Sequence, residues 1–220
     1  MIPWKRLATA KTPDGGELSL WQRGTELVVR VGSLDLMSTR EHGSEEVLAQ
    51  HGVGDLGEGA TVLVGGLGFG FTLRATLGLL PRNAKVVVSE LVPEVVDWVK
   101  GPVGAGDLLE DPRVEVEIGD VADILRGGSG RLFDAILLDV DNGPSAFTVG
   151  SNHRLYSGLG LEATARCLRP GGRLAVWSAG HDPAFMARLH KSGFDAKTFG
   201  VRARGKAGGA KQAIFLGIKR

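Results

Sequence analysis

Residues 62–80 read VLVGGLGFGFTLRATLGLL, an apolar run that leads into three spaced glycines and then into helical periodicity. The run predicts a buried strand, and the later residues predict a helix because their apolar side chains recur every three or four positions. Gly66, Gly68 and Gly70 lie between the two, where a backbone without Cβ atoms can turn sharply and approach a ligand closely. This order of strand, bare turn and helix predicts a ligand-binding crossover in an α/β sheet.

Four further strand-like runs continue the pattern towards the C-terminus. They read AKVVVSE, VEVEIGD, FDAILLDV and GRLAVWSAG, and the segments between them carry helical periodicity. Nearly continuous apolar strands are typical of a parallel sheet with helices on both faces. The chain ends in AKTFGVRAR and KQAIFLGIK, which predict a hairpin. The predicted fold class is therefore α/β, a doubly wound, Rossmann-like seven-stranded sheet with a terminal antiparallel strand.

The residues before this sheet predict a separate β element. Residues 17–38 alternate apolar and polar side chains around short turns, which indicates a small antiparallel meander. The run STREHGSEEVLAQHG then predicts a helix with Ser44 as its N-cap and two glutamates in its first turn. We therefore divide the chain into an N-terminal β-meander with a linking helix, 1–52, and an α/β domain, 53–220.

Composition excludes several classes of protein. The net charge of +1 gives no overall reason to expect nucleic acid as a partner. A single cysteine, Cys167, excludes an internal disulfide, and its helical surroundings predict a small core residue. His51 and His190 have no acidic or histidine neighbour at ligand spacing, so we expect no metal. No apolar run approaches the roughly 20 residues of a membrane span, and we expect a cytoplasmic protein without a membrane partner.

The glycine turn does not fit two common nucleotide motifs. A dinucleotide fingerprint, G-x-G-x-x-G, would need a glycine where this chain has Phe71. A phosphate-binding loop, G-x-x-x-x-G-K-[S/T], would need a lysine that does not follow these glycines. The turn alone therefore does not identify its ligand.

Three acids at strand ends give a more specific hypothesis. Glu90, Asp120 and Asp139 follow strands whose carboxyl ends meet at one edge of a parallel sheet. A carboxylate at this edge can accept hydrogen bonds from the hydroxyls of a ribose or from the amine of adenine. Each acid alone is better explained as a helix cap or a solvated loop residue, but the three together favour a nucleoside site.

Five segments of the chain resemble one family. VLVGGLGFG, VVVSE, DPRVEVEIGD, FDAILLDVDNGP and LRPGGRLAVW are similar to class I S-adenosylmethionine-dependent transferases, and among these to the spermidine synthase (polyamine aminopropyltransferase) family. The resemblance covers residues 17–180, and DPRV…GD and the acids after the fourth strand are its more specific marks. It implies transfer of an aminopropyl group from decarboxylated S-adenosylmethionine to a small amine, with methylthioadenosine as product, no metal, and a homodimer.

The resemblance also implies roles for individual residues. The implied cofactor contacts are Gly66, Gly68, Gly70, Glu90, Asp120, His42 and Glu45. For His42 and Glu45 the alternatives are a contact to the acceptor and the start of a surface helix. Glu90 would hold the ribose and Asp120 the adenine amine. Asp139 would accept the proton of the acceptor amine, and Asp141 would help to bind that amine. His153 and Tyr156 could line the acceptor pocket, although a tyrosine there could equally pack inward.

Two departures from the family keep other functions open. Leu67 and Phe69 fill variable positions of the glycine turn, in which the family usually carries an aspartate for the donor's amine. The family's D-S-S-D-P is shortened here, so Asp141 is out of register. The alternatives are a methyltransferase that uses S-adenosylmethionine on the same fold, and a catalytically silent relative that binds the nucleoside.

The last 25 residues add a hypothesis about the acceptor. Residues 196–220 contain seven Lys or Arg and no Asp or Glu. If the sixth strand runs parallel to the first five, the turn with Arg202, Arg204, Lys206 and Lys211 lies at the active-site edge. Cations there would attract an acceptor that carries a carboxylate or phosphate. The alternative is that these residues form a solvated hairpin turn without a ligand.

Overall fold

The computed structural model of the protein describes residues 2–13, 15–127, 130–140, 143–145, 154–205 and 208–220. These residues form a four-stranded sheet near the N-terminus and a seven-stranded sheet in the rest of the chain. No described helix is long and apolar enough to cross a membrane.

The N-terminal sheet is antiparallel, and its strands are neighbours in chain order. They are β1 (Lys5–Lys11), β2 (Glu17–Arg23), β3 (Glu26–Val31) and β4 (Leu34–Ser38). The meander predicted over residues 17–38 is confirmed, but β1 is an additional strand that the sequence analysis missed. It lies at the sheet edge with Ala10 as its single buried residue and a bulge after Arg6, so its apolar alternation is weak.

The large sheet confirms the predicted fold class. Its strands are β5 (Thr61–Gly65), β6 (Lys85–Glu90), β7 (Val114–Ile118), β8 (Phe133–Leu138), β9 (Leu168–Ser178), β10 (Phe194–Arg202) and β11 (Lys211–Lys219). Their spatial order is β10-β11-β9-β8-β5-β6-β7. Strands β5 to β9 pair in parallel, while β11 is antiparallel to both of its neighbours. Strand β10 therefore points in the same direction as the five parallel strands.

Six α-helices are described around this sheet. They are α1 (Gly43–Val53), α2 (Phe71–Leu79), α3 (Pro93–Lys100), α4 (Val121–Gly127), α5 (Gly158–Cys167) and α6 (Pro183–Lys191). The prediction of Ser44 as an N-cap is wrong, since the N-cap position of α1 belongs to His42. The helix begins earlier because the N–H of Gly43 donates to the carbonyl oxygen of Ala203, in the turn after β10.

Two hydrophobic cores cover the two faces of the large sheet. On one face, Leu48 and Val53 of α1 pack with Val62 and Val64 of β5 and with α2. The other core contains Leu63, Ile136, α5 and α6. Cys167 belongs to this second core, where its thiol donates to the carbonyl oxygen of Leu125 and where burial raises the pKa of the thiol. Its predicted role as a small core residue is confirmed.

The N-terminal sheet packs against the rim of the large one. Leu20 and Val29 of the small sheet share a third core with Val95 and Trp98 of α3 and with Phe69 of the glycine turn. The small sheet thus lies beside the turn that the sequence marked as a ligand site.

The DPRV motif has a structural role. Arg113 donates to both carboxylate oxygens of Asp111 at 2.8–3.0 Å, and it also donates to the carbonyl oxygens of Leu77 and Leu80 at the end of α2. This guanidinium satisfies helix carbonyls that have no partner within the helix. The motif therefore joins the end of α2 to the start of β7.

The strand order reverses at β5, which has β6 on one side and β8 on the other. In open α/β sheets, ligands bind outside the carboxyl ends of the strands at such a switch point. The glycine turn follows β5 directly, so the fold places it where a ligand is expected.

Candidate active site

The glycine turn uses left-handed backbone at all three predicted positions. Gly66, Gly68 and Gly70 have φ values of 91°, 52° and 82°, which residues with a side chain rarely adopt. A Cβ on Gly66 would overlap the carbonyl oxygen of Asp139, and one on Gly68 would lie 3.3 Å from the sulfur of Met37. The turn is therefore held between β8 and the N-terminal sheet, with no room for a side chain at its first glycine.

Glu90 ties this turn to the end of β6. It is 7% exposed, and its Oε2 accepts from the N–H of Leu67 at 2.9 Å. Its Oε1 accepts from the N–H of Val92 at 2.9 Å, just before α3. The carboxylate thus shapes the turn through backbone bonds, in addition to any contact that it makes with a ligand.

Asp120 lies one strand further along the same edge. Its Oδ1 accepts from the N–H of Ala122 at 2.8 Å, so one oxygen caps the start of α4. Among the described residues, no hydrogen bond involves the other oxygen. The helix-cap explanation and the adenine-binding prediction are thus compatible.

Asp139 extends one residue beyond β8, and its N–H donates to the carbonyl oxygen of Gly65. The hydroxyl of Thr72 donates to its Oδ2 at 2.6 Å, and Thr72 is 2% exposed. This bond orients the carboxylate towards the space between α2 and the sheet edge. Thr72 was missed by the sequence analysis, although a hydroxyl in the first turn after a glycine turn is a readable signal. Asp141, predicted as the second acid, lies outside the described residues.

The start of α1 reaches the same edge. His42 stacks on Phe71 at the start of α2 with ring centroids 4.6 Å apart, and its Nδ1 lies 3.0 Å from Oε1 of Glu46. Glu45 is half-buried, and the hydroxyl of Ser44 donates to its Oε2 at 2.6 Å. Burial, reinforced by the negative charge of Asp139, raises the pKa of Glu45 to about 7. A glutamate from α1 and an aspartate from β8 thus influence each other electrostatically.

The two apolar residues of the turn point into the protein. Leu67 is 3% exposed and belongs to the core under α1 and α2, while Phe69 is 5% exposed and packs with the N-terminal sheet. Neither side chain is available to a ligand, and neither can replace a carboxylate.

The basic turn lies at the carboxyl edge of the sheet, as the direction of β10 requires. Arg204 is 3.4 Å from the carboxylate of Glu41, and Arg202 donates to the carbonyl oxygen of Gly209 at 3.3 Å. Lys206 lies outside the described residues. The described part of this turn thus contacts the segment that leads into α1.

In the order of the sheet, β8 and β9 lie between the basic turn after β10 and the glycine turn after β5. Tyr156 is 3% exposed and packs edge-on against Phe185, so the inward-packing alternative is confirmed for it; His153 lies outside the described residues. The indole Nε1 of Trp177, at the end of β9, is buried and has no hydrogen-bond partner among the described residues. Nor do any three His, Cys, Asp or Glu side chains come together as a metal site in the described ranges.

Solved structures resemble this chain over nearly its whole length. A spermidine synthase from Thermotoga maritima and a spermidine synthase in complex with the transition state analogue AdoDATO each superpose with a TM-score of 0.76. Each comparison covers 98% of this chain and 73% of the other, at 16% sequence identity. This likeness establishes the fold.

Curated proteins add similarity in sequence. Putrescine N-methyltransferase 2 of Nicotiana tabacum is 32% identical over 129 residues, which are 58% of this chain and 35% of that protein. Spermine synthase of Arabidopsis thaliana is 31% identical over 169 residues, 73% of this chain and 44% of that protein. The chain thus spans less than half the length of either relative. No model of a known protein family matches the chain. The chain thus resembles spermidine synthases in fold, and putrescine N-methyltransferase and spermine synthase in sequence.

Proposed function

We propose that the protein is a spermidine synthase-like transferase, which moves an aminopropyl group from decarboxylated S-adenosylmethionine to an amine acceptor. The observation that carries the proposal is Asp139, a carboxylate oriented by the buried hydroxyl of Thr72 beside the glycine turn. An acid in this position serves an acceptor that arrives as an ammonium ion and must lose a proton before it reacts.

The edge of the sheet fits a donor that carries a nucleoside. The three left-handed glycines allow the backbone to lie close to a ligand. Glu90 lies at the end of β6, and Asp120 follows β7. A carboxylate oxygen can accept more than one hydrogen bond, so the backbone bonds of Glu90 are compatible with a ribose contact. Among the proposed contacts, His42 and Glu45 lie on the other side of the turn, at the start of α1.

A sulfonium donor supplies a carbon activated by the positively charged sulfur. The chain's own residues act on the amine, which is nucleophilic only when it is neutral. The carboxylate of Asp139 would hold the amine and accept its proton, and Asp141 is proposed to assist in binding. Positioning of the amine in line with the donor is expected to supply most of the acceleration.

Methyl transfer from S-adenosylmethionine is the second candidate. It is favoured by the turn itself, since Leu67 and Phe69 are buried and neither offers a carboxylate to a donor's aminopropyl amine. The similarity to putrescine N-methyltransferases supports the same alternative. For the acceptor, a plain amine and an amine that also carries a carboxylate or phosphate are both candidates, the latter supported by the basic turn at this edge.

Incubation with each donor and a panel of amines, analysed by mass spectrometry, tests the proposal. The panel contains putrescine and an amine of similar length that ends in a carboxylate. We expect putrescine to gain an aminopropyl group from the decarboxylated donor. A methyl gain from S-adenosylmethionine instead would establish the second candidate, and no product with either donor would reject both. We also propose a homodimer in the cytoplasm, which sedimentation and fractionation can test.

Glu90→Gln should weaken the binding of methylthioadenosine by about 10- to 100-fold. An amide replaces one acceptor oxygen by a donor, which then faces the N–H of Leu67 or of Val92 and loosens the turn. Titration calorimetry of the variant measures the effect. Glu94→Gln, a charge-matched change on the exposed face of α3, is the control and should bind like the unmodified protein. Equal affinities of both variants would contradict a ligand role for this edge.

A further inference from the structure

Helix α1 and strand β8 bring two carboxylates to the same edge of the sheet. A Cβ on Gly52 of α1 would lie 2.9 Å from a methyl group of Leu137, so the helix crosses β8 at that level. Glu45 precedes Gly52 by two helical turns, about 10 Å along the axis. Asp139 follows Leu137 by two residues on the same face, about 6.6 Å along the strand. The start of α1 is bonded to Ala203 at the carboxyl edge, so both acids lie on that side.

Each of these carboxylates is fixed by a buried hydroxyl. Ser44 donates to Glu45 and Thr72 donates to Asp139, each at 2.6 Å, and both hydroxyl residues are 2% exposed. Such bonds restrict the carboxylates to defined orientations. Two acids that repel each other and yet are both held in place form a site that a cation would stabilise.

Within the described part of the chain, no cation is paired with the carboxylate of Glu45. From β8 it faces Asp139, and from its own helix it faces Glu46. Among the described residues it takes part in no ion pair: Arg204 is closest to Glu41, and Arg74, the one charged residue of α2, is closest to Asp107. At the same edge, β9 and β8 lead to the uncharged Trp177 and Val140. Strand β10 ends at Arg202, which donates to the carbonyl oxygen of Gly209, and β11 begins at Lys211.

We propose that Glu45 and Asp139 together bind the ammonium group of a cationic acceptor, which makes Glu45 a second specificity-determining residue. This rests on the proposed transfer to an amine, and it favours a plain diamine over an acceptor that carries an anion. In the described part of the basic turn, Arg204 is paired with Glu41 and Arg202 donates to the carbonyl oxygen of Gly209. Of the two ligand contacts that the resemblance leaves open for Glu45, the proposal assigns it to the acceptor.

Acceptor binding should release protons near neutral pH. The pKa of Glu45 is raised to about 7, so about half of the molecules carry its proton at that pH. An ammonium group favours the ionised form and lowers this pKa, which expels the proton. Between pH 6 and 8 the affinity for a diamine should rise, since the carboxyl ionises over this range while alkyl amines stay charged.

Calorimetric titration with putrescine, alone and with methylthioadenosine present, tests the site without requiring turnover. Titration in two buffers of different ionisation enthalpy counts the protons released. We expect Glu45→Gln to lower putrescine affinity at pH 7.5 by about 10-fold or more and to abolish the proton release. Methylthioadenosine affinity should be the same in both proteins.

Glu46→Gln is the matched control, since it removes the same charge from the next position, where the side chain is 63% exposed. It should bind putrescine within about twofold of the unmodified protein. Equal affinities of Glu45→Gln and Glu46→Gln for putrescine, or binding without proton release, would overturn the proposal. Failure of methylthioadenosine to bind would count against the nucleoside site alone.

Thermal unfolding tests whether misfolding, rather than loss of the carboxylate, explains weaker putrescine binding by Glu45→Gln. Because the folded state holds the proton of Glu45 more tightly than the unfolded chain, this residue reduces stability as the pH rises from 4.5 to 7. Glu45→Gln removes this loss of stability. At pH 8 the variant should therefore unfold at the same temperature as the unmodified protein or at a higher one. Weaker putrescine binding in a variant of undiminished stability assigns the effect to the site.

Discussion

Asp139→Asn is expected to lower the rate of transfer by about 10²- to 10⁴-fold and to leave the affinity for methylthioadenosine unchanged. The amide keeps the size of the side chain, and its carbonyl oxygen can still accept from Thr72, so the local geometry should persist. What is lost is the negative charge that holds an ammonium ion and takes its proton. Steady-state rates with saturating donor and putrescine measure the change.

The matched control for this experiment is Asp97→Asn, on the exposed face of α3. It removes one aspartate charge from a helix far from the carboxyl edge of β8 and should leave the rate unchanged. A rate for Asp139→Asn within a factor of about ten of the unmodified protein would show that this acid is not the proton acceptor. An equal loss in Asp97→Asn would show that overall charge, rather than position, determines the rate.

The large sheet could be predicted because its signals are local and strong. Strands β5, β6 and β8 are buried along most of their length, and each contains a run of at least three consecutive apolar residues. Strand β1 gave no comparable signal, because an edge strand on a small sheet needs to bury few of its side chains. The start of α1 was misplaced by two residues because its first N–H bonds to Ala203, 160 residues later in the chain.

The site could be predicted only as far as strand ends define it. Glu90, Asp120 and Asp139 each follow an apolar run, so the topology alone brings them to one edge. The partner of Asp139 could not be found in this way, since Thr72 meets it through the packing of α2 on β8. The same holds for Glu45, whose raised pKa depends on how α1 lies across the sheet.

Gly66→Ala is expected to destabilise the protein by about 3 kcal/mol or more, which corresponds to a fall in the unfolding temperature of about 6–12 °C. Its φ of 91° already disfavours any side chain, and the added Cβ would overlap the backbone carbonyl of Asp139. A backbone oxygen has no alternative rotamer, so either the turn or the end of β8 must move. Because that carbonyl belongs to the residue proposed to accept the proton, transfer should fall along with stability. Calorimetric unfolding and the rate assay measure both.

Gly78→Ala separates this effect from the general cost of the substitution. Gly78 lies in the last turn of α2, is exposed, and would place its Cβ in open space. Alanine there should stabilise the protein by about 0.5–1 kcal/mol, since it lowers the entropy of the unfolded chain and favours the helix. The same substitution should thus lower stability at Gly66 and raise it at Gly78, twelve positions further on in helix α2. A Gly66→Ala variant as stable and as active as Gly78→Ala would mean that the turn does not hold Asp139 in place, and the acid would then owe its position to Thr72 and the β8 ladder alone.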